Sequence, residues 1–155
     1  MISDTKVVAI GGGTGLSTML KGLKLHTHNI TAVVTVADDG GSSGILRSDL
    51  GMLAPGDVRN CVSALAEVDP VMGELLNFRF KDGSLKGHSL GNLFLAALNE
   101  TSSSFDEAVK KFSHLAGVVG TVYPVTNESV TLSALLEDGR LIEGESHIGV
   151  HHDGP

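Results

Sequence analysis

Hydrophobic positions along the chain change texture in a way that maps its elements. Val7-Val8-Ala9-Ile10 is a continuous apolar run, which predicts a strand buried on both faces of a parallel sheet. Leu16, Met19, Leu20 and Leu23 follow at three- and four-residue spacing and predict a helix over 16–25. A second buried-strand run covers 30–37, so the opening reads as a βαβ unit with both strand ends on one edge. Residues 38–57 are rich in Asp, Gly, Ser and Pro and predict a long loop. Helical spacing resumes over 57–68, 71–80, 89–99 and 104–115, with Ser89 and Ser104 as caps and Glu107 at the third position of the last helix. Strand patterns then occupy 118–122, 130–136 and 141–148, and Asp138-Gly139 signals a hairpin.

The fold class expected is α/β: a Rossmann-like parallel sheet with flanking helices in three layers, incomplete at this length, with a C-terminal β-hairpin region. At 155 residues and 41% hydrophobic, residues 1–155 make one domain with enough apolar content for a core, which excludes disorder. No run approaches the roughly 20 apolar residues of a membrane span. A net charge of −7 argues against nucleic acid as a partner. Cys61 is the lone cysteine, and the first residues lack a signal-peptide pattern, so a cytoplasmic location is expected. The 20 glycines point to loops in which backbone approaches a ligand or another segment closely.

Four constellations carry chemistry. Ile10-Gly11-Gly12-Gly13-Thr14-Gly15-Leu16-Ser17 runs from strand into helix, a place where free N–H groups meet the positive end of a helix and suit phosphate; Thr14 and Ser17 add hydroxyls. It lacks the Gly-Lys-Ser/Thr of a P-loop, and Leu16 stands where a dinucleotide fingerprint has its third glycine. A ligand-free tight turn is the other reading. Asp38 and Asp39 at the end of the second strand suit a ribose hydroxyl or a Mg²⁺ bridging to phosphate; Gly40, Ser42, Ser43 and Gly44 follow as a donor-rich nest or a solvated turn. Pro55-Gly56-Asp57-Val58-Arg59-Asn60 opens a helix with Asp57 as N-cap or ligand group and Arg59 suited to phosphate or carboxylate. Gly87-His88-Ser89-Leu90-Gly91-Asn92 places His88 before a helix start as a donor, an acid or base, or a bystander. Gly91 inside that helix implies close packing or ligand approach. His147, His151 and His152 offer a weaker metal set at the end of the chain, and Cys61 reads as core.

These motifs, in this order, resemble the bacterial gluconeogenesis-factor family, which is related to 2-phospho-L-lactate transferase and its CofD-like fold. Tyr123-Pro124-Val125-Thr126 and Gly144-Glu145-Ser146 extend the resemblance. It implies a nucleotide-binding domain forming the N-terminal part of a protein about twice as long, whose later half carries a further glycine-rich loop. In the transferase branch the site takes a guanosine-diphosphate-linked lactate and a deazaflavin acceptor with a divalent metal. The gluconeogenesis-factor branch is linked to UDP-sugars, growth on gluconeogenic carbon and cell shape. Carried onto this chain, the resemblance puts Gly12, Gly13, Thr14 and Gly15 at the diphosphate and Asp38 and Asp39 at the metal or ribose. Asp57, Arg59, Asn60, His88 and Asn92 would line the rest of the cleft.

Because no nucleophile–base pair can be assembled, a regulatory nucleotide-sugar-binding protein is favoured over the alternative, a Mg²⁺-dependent transferase. No cofactor is required beyond an optional Mg²⁺ with the nucleotide. A homo-oligomer is the other partner class left open.

Overall fold

The computed structural model describes residues 3–150. Strand β1 (Val7–Gly11) leads into helix α1 (Gly13–Leu23), and β2 (Ile30–Val34) returns beside β1 in parallel, with Val7 opposite Ile30. Five helices then intervene: α2 (Gly41–Leu50), α3 (Gly56–Leu65), α4 (Pro70–Asn77), α5 (Leu90–Glu100) and α6 (Phe105–Leu115). Strand β3 (Thr121–Pro124) pairs in parallel with β2, giving the order β1-β2-β3. A separate antiparallel pair, β4 (Ser133–Leu135) and β5 (Leu141–Glu143), is followed by a short helix, α7 (Glu145–Gly149).

The βαβ opening, the helices and the Asp138-Gly139 hairpin are as the pattern predicts. Ser89 caps α5 and Ser104 caps α6; Glu107 reaches back to the Ser103 N–H. Bounds shift in places, with β2 ending at Val34 rather than 37, α4 at Asn77 rather than 80 and β3 starting at Thr121 rather than 118, and two further segments differ in kind. The stretch expected as a loop contains α2: its serines and glycines disfavour helix, but buried Leu46 packs into the core and Gly51 closes the helix in a left-handed C-cap. The last strand expected over 141–148 ends at Glu143, where Gly144 redirects the chain into α7.

Burial of the strands is one-sided. Ala9, Ile30, Ala32, Val34 and Val122 face the core with Leu16, Leu20, Val58 and Val62, whereas Val8 and Ile10 are 66% and 75% exposed and Tyr123 is also exposed. Topology explains this. Two successive right-handed crossovers that advance in the same direction deposit their helices on the same face; coverage of the second face needs a reversal of strand order. Of the three layers expected, the described residues supply the sheet and one helical layer. The expectation that β1 is buried on both faces therefore holds for one face only.

Leu20→Ala is expected to cost about 2–5 kcal/mol, as for a fully buried leucine, while Ile10→Thr stays within about 0.5 kcal/mol. Urea unfolding of both variants checks this; equal losses would mean that the Ile10 face is covered in solution.

Candidate functional site

The carboxyl ends of β1 and β2 bring the first two constellations side by side, and the N-termini of α2, α3 and α5 close around them. The result is a polar cleft of about 190 Å³ lined by Asp38, Ser42, Asp57, Arg59, Asn60 and Asn92 among others. Ser42, Ser43, Asp57, Arg59, His88, Ser89 and Asn92 are all buried, a density of buried polar groups that needs mutual hydrogen bonding.

Four of these residues, Arg59, Asn92, Ser42 and His88, are joined in one chain. Arg59 Nε donates to Asn92 Oδ1 (3.3 Å) and Arg59 Nη1 to Asn77 Oδ1 (3.0 Å). Asn92 Nδ2 donates to Ser42 Oγ (3.0 Å), and Ser42 lies 2.9 Å from His88 Nδ1. Arginine only donates, so the orientation of the Asn92 amide is fixed. Ser42, accepting from Asn92, also pairs with His88 Nδ1, so the hydroxyl links the amide to the imidazole. His88 is thus tied into the network rather than free in a loop. Gly91 is explained by packing: a Cβ there would lie 2.6 Å from the Leu76 carbonyl oxygen and 2.9 Å from Arg59 Cδ.

The glycine turn is arranged differently from the expectation. Asp57 is not the N-cap of α3; that position is Pro55. Its carboxylate instead lies against the start of α1, where the Gly13 amide favours its charged form, and a Cβ on Gly12 would lie 2.6 Å from Asp57 Oδ2 and 2.1 Å from Thr35 Cγ2. Burial, with neighbouring Asp38, raises the Asp57 pKa. Thr14 and Gly15 are exposed, and Ser17 is buried with its hydroxyl donating to the Thr14 carbonyl (3.1 Å).

Asp38 and Asp39, expected to act together, diverge. Asp38 accepts from Gly40 N–H (3.0 Å) and stays on the cleft wall. Asp39 accepts from Ser146 N–H (2.8 Å) at the start of α7, which lowers its pKa. Arg47 holds this turn by donating to the carbonyls of Ala37, Asp38 and Val130. Ser43 accepts from Gly56 N–H (3.2 Å), and Asn60 lines the cleft without a side-chain hydrogen bond among the described residues. Among the described residues no three His, Cys, Asp or Glu side chains form a group able to hold a metal ion. Asp38 and Asp57 both line the cleft, while Asp39 is held at the start of α7. His147 bonds the Glu143 carbonyl; His151 and His152 lie outside the described residues. Cys61 is fully buried, and its pKa is pushed up to about 12 chiefly by burial, which makes it a core residue.

Sequence reasoning missed Asn77, Arg79, Thr35 and Glu145. The helix expected over 71–80 hid the first two, because α4 stops at Asn77 and releases Arg79 toward the cleft. Glu145, quoted only within a motif, has its pKa raised by burial and by Asp38, Asp57 and Asp39.

The class so defined is a parallel α/β protein with a polar cleft at the carboxyl ends of its strands. The family described as 2-phospho-L-lactate transferase CofD matches residues 7–154, and the chain belongs to that family. A protein of Thermoanaerobacterium thermosulfurigenes is 63% identical over 95% of the chain, and the gluconeogenesis factor of Bacillus subtilis is 51% identical over 92%. A crystal structure of a Bacillus halodurans protein superimposes with a TM-score of 0.88 at 48% identity, covering 92% of this chain and 47% of its own. The chain spans about half the length of these relatives, 46% and 45% of the two named first.

Two outcomes are expected. Gly91→Ala, despite the roughly 1 kcal/mol helix propensity favouring alanine, lowers thermal stability, because Arg59 and the Leu76 carbonyl leave no room; a raised Tm would contradict the packing. Asp57→Asn raises stability at neutral pH. A carboxyl whose folded pKa is raised favours the native state below its unfolded pKa and loses that advantage as pH climbs through the folded value. The gain should therefore vanish below about pH 3.8 in chemical denaturation across pH, and a gain independent of pH would count against a desolvated carboxylate.

Proposed function

We propose that the chain forms the nucleotide-recognising part of a sugar-nucleotide-binding regulatory protein. On this reading Arg59, Asn60, Asn92, Ser42, Ser43 and Asp38 contact the ligand, while Asp57 and His88 set the shape of the cleft. One observation carries it: the buried chain His88–Ser42–Asn92–Arg59 presents fixed donors at the carboxyl ends of a parallel sheet. Stability alone gives little reason to bury so many polar groups, and open α/β sheets bind ligands at this edge. The gluconeogenesis-factor names of the relatives favour a role in gluconeogenic growth, with a UDP-sugar as ligand and a role in cell shape implied by the family resemblance. A cytoplasmic setting fits a metabolite ligand of this kind. Of the described residues, no helix is long and apolar enough to cross a membrane.

The second reading is a transferase, as the family description suggests, with the metal, the guanosine-diphosphate-linked donor and the deazaflavin acceptor implied by the family resemblance. The Asp38–Asp57 pair favours it. These carboxylates would hold a Mg²⁺, which when bound would neutralise charge on a diphosphate. The chain's own part would be to fix the phosphates by Arg59 and exclude bulk water from the buried Ser42–Asn92 wall.

Titration calorimetry with Mg²⁺ against UDP-N-acetylglucosamine, guanosine diphosphate and NAD separates the readings. Selective uridine binding that weakens in Asp38→Asn is the expected result. Preference for guanosine diphosphate would favour the transferase, and binding of none by the folded chain would remove the nucleotide reading for this part of the protein.

A further inference from the structure

The N-termini of α1 and α2 lack side-chain caps; the start of α2 lines the cleft, and that of α1 lies behind Asp57. They differ in what meets them. At α1 the Asp57 carboxylate lies against the glycine turn, 2.6 Å from where a Cβ on Gly12 would stand, and the Gly13 amide favours its charged form. At α2 no acidic residue stands in the first turn. Asp38 takes the Gly40 N–H just ahead of that helix, and the Gly41, Ser42 and Ser43 amides have no acceptor among the described residues.

Two guanidinium groups face this second helix start. Arg59 is more than nine-tenths buried, yet both of its hydrogen-bond partners, Asn92 and Asn77, are neutral amides, and its Nη2 donates to nothing among the described residues. Arg79, which donates to the Gly87 carbonyl, lies on the same cleft wall and close enough to push the Arg59 pKa down. Neither arginine has a carboxylate within 4 Å among the described residues; Asp57 acts on Arg59 only at longer range. Asn92 bridges Arg59 to Ser42, so the buried guanidinium and the first turn of α2 are one side chain apart. Within the cleft Asp57 lies against the glycine turn, Asp38 lies at the Gly40 amide ahead of α2, and the cations stand against α4 and α5.

We propose that the first turn of α2, with Arg59 and Arg79, is the seat of a phosphate-type oxyanion, and that the glycine turn before α1 is not. A buried guanidinium beside a second cation with no carboxylate within reach is compensated when an anion enters, and uncapped helix amides supply the remaining donors. The inference rests on the nucleotide reading for what carries the phosphate: the diphosphate of the ligand lies along the arginine wall, with Asp57 on the far side against the glycine turn. The glycine turn is a closed joint in which Asp57 stands where an anion would otherwise sit.

The test uses inorganic pyrophosphate as probe, titrated by calorimetry into the 155-residue chain, with circular dichroism confirming the fold of each variant. Arg79→Gln, at an exposed position, is expected to weaken pyrophosphate at least about tenfold, as for loss of a charge-assisted contact. Gly15→Ala has nothing within 4 Å of its new methyl group and is expected to leave affinity unchanged. Arg59→Lys, which keeps the charge but not the fork, is expected to fall between wild type and Arg79→Gln. Loss of binding in Gly15→Ala with Arg79→Gln unaffected would put the seat at α1 and overturn the inference, as would absence of pyrophosphate binding by the wild-type chain. In either case continued binding of UDP-N-acetylglucosamine would leave the nucleotide reading standing, so the two failures are separable.

Discussion

The Asn92 side chain is the junction on which the cleft depends. It stands at the first turn of α5, accepts from a guanidinium on α3 and donates to a hydroxyl on α2, so one amide sets the relative positions of three helices. Its orientation is forced, because arginine cannot accept, and Ser42 carries the network on from it to His88. Low-dielectric surroundings make such a network strong when complete and costly when a member is lost. The close passage of Arg59 over Gly91 belongs to the same constraint: the α5 backbone must come near enough for Asn92 to reach across, and only a residue without a side chain allows that approach.

The second organising constraint is handedness. Advancing the sheet β1-β2-β3 by right-handed crossovers puts both connections on one face and leaves Val8, Ile10 and Tyr123 open. The same geometry aligns the carboxyl ends of β1 and β2, where Thr35 and Gly12 press together and Asp57 is drawn over the start of α1. Fold and cleft therefore share one cause.

Much of this was legible in the sequence, for identifiable reasons. The β-branched runs at Val7 and Ile30 and the heptad-like spacing of Leu16 and Leu20 announced the βαβ frame, and Ser89 and Ser104 marked helix starts through simple capping chemistry. The cleft residues were found because Gly, Ser and Asp cluster after strand ends. What escaped was long-range geometry. Local propensity does not show that α2 forms, because its helix is stabilised by burying Leu46 and Ser42 against distant elements. Nor does adjacency reveal that Asp38 and Asp39 part company, one to the cleft and the other to a backbone amide 107 positions away. Arg79 was masked by an apolar run, Phe78 and Phe80, that mimicked a continuing helix. Whether an α1-type glycine turn holds an anion or a carboxylate of its own chain is likewise set by a residue far along the sequence.

The placement of the cleft within the chain has a kinetic side. β1 and β2 meet across a single short helix, whereas β3 reaches β2 only after the whole excursion through α2 to α6. Closing the longer loop costs more chain entropy, so local pairing forms readily and distant pairing late. Arg59, Arg79, His88 and Asn92 all lie inside that excursion. During synthesis the βαβ frame can be complete while the walls of the cleft are still being made, and the assembling polar network is the part of the molecule most exposed to error before the sheet gains its third strand.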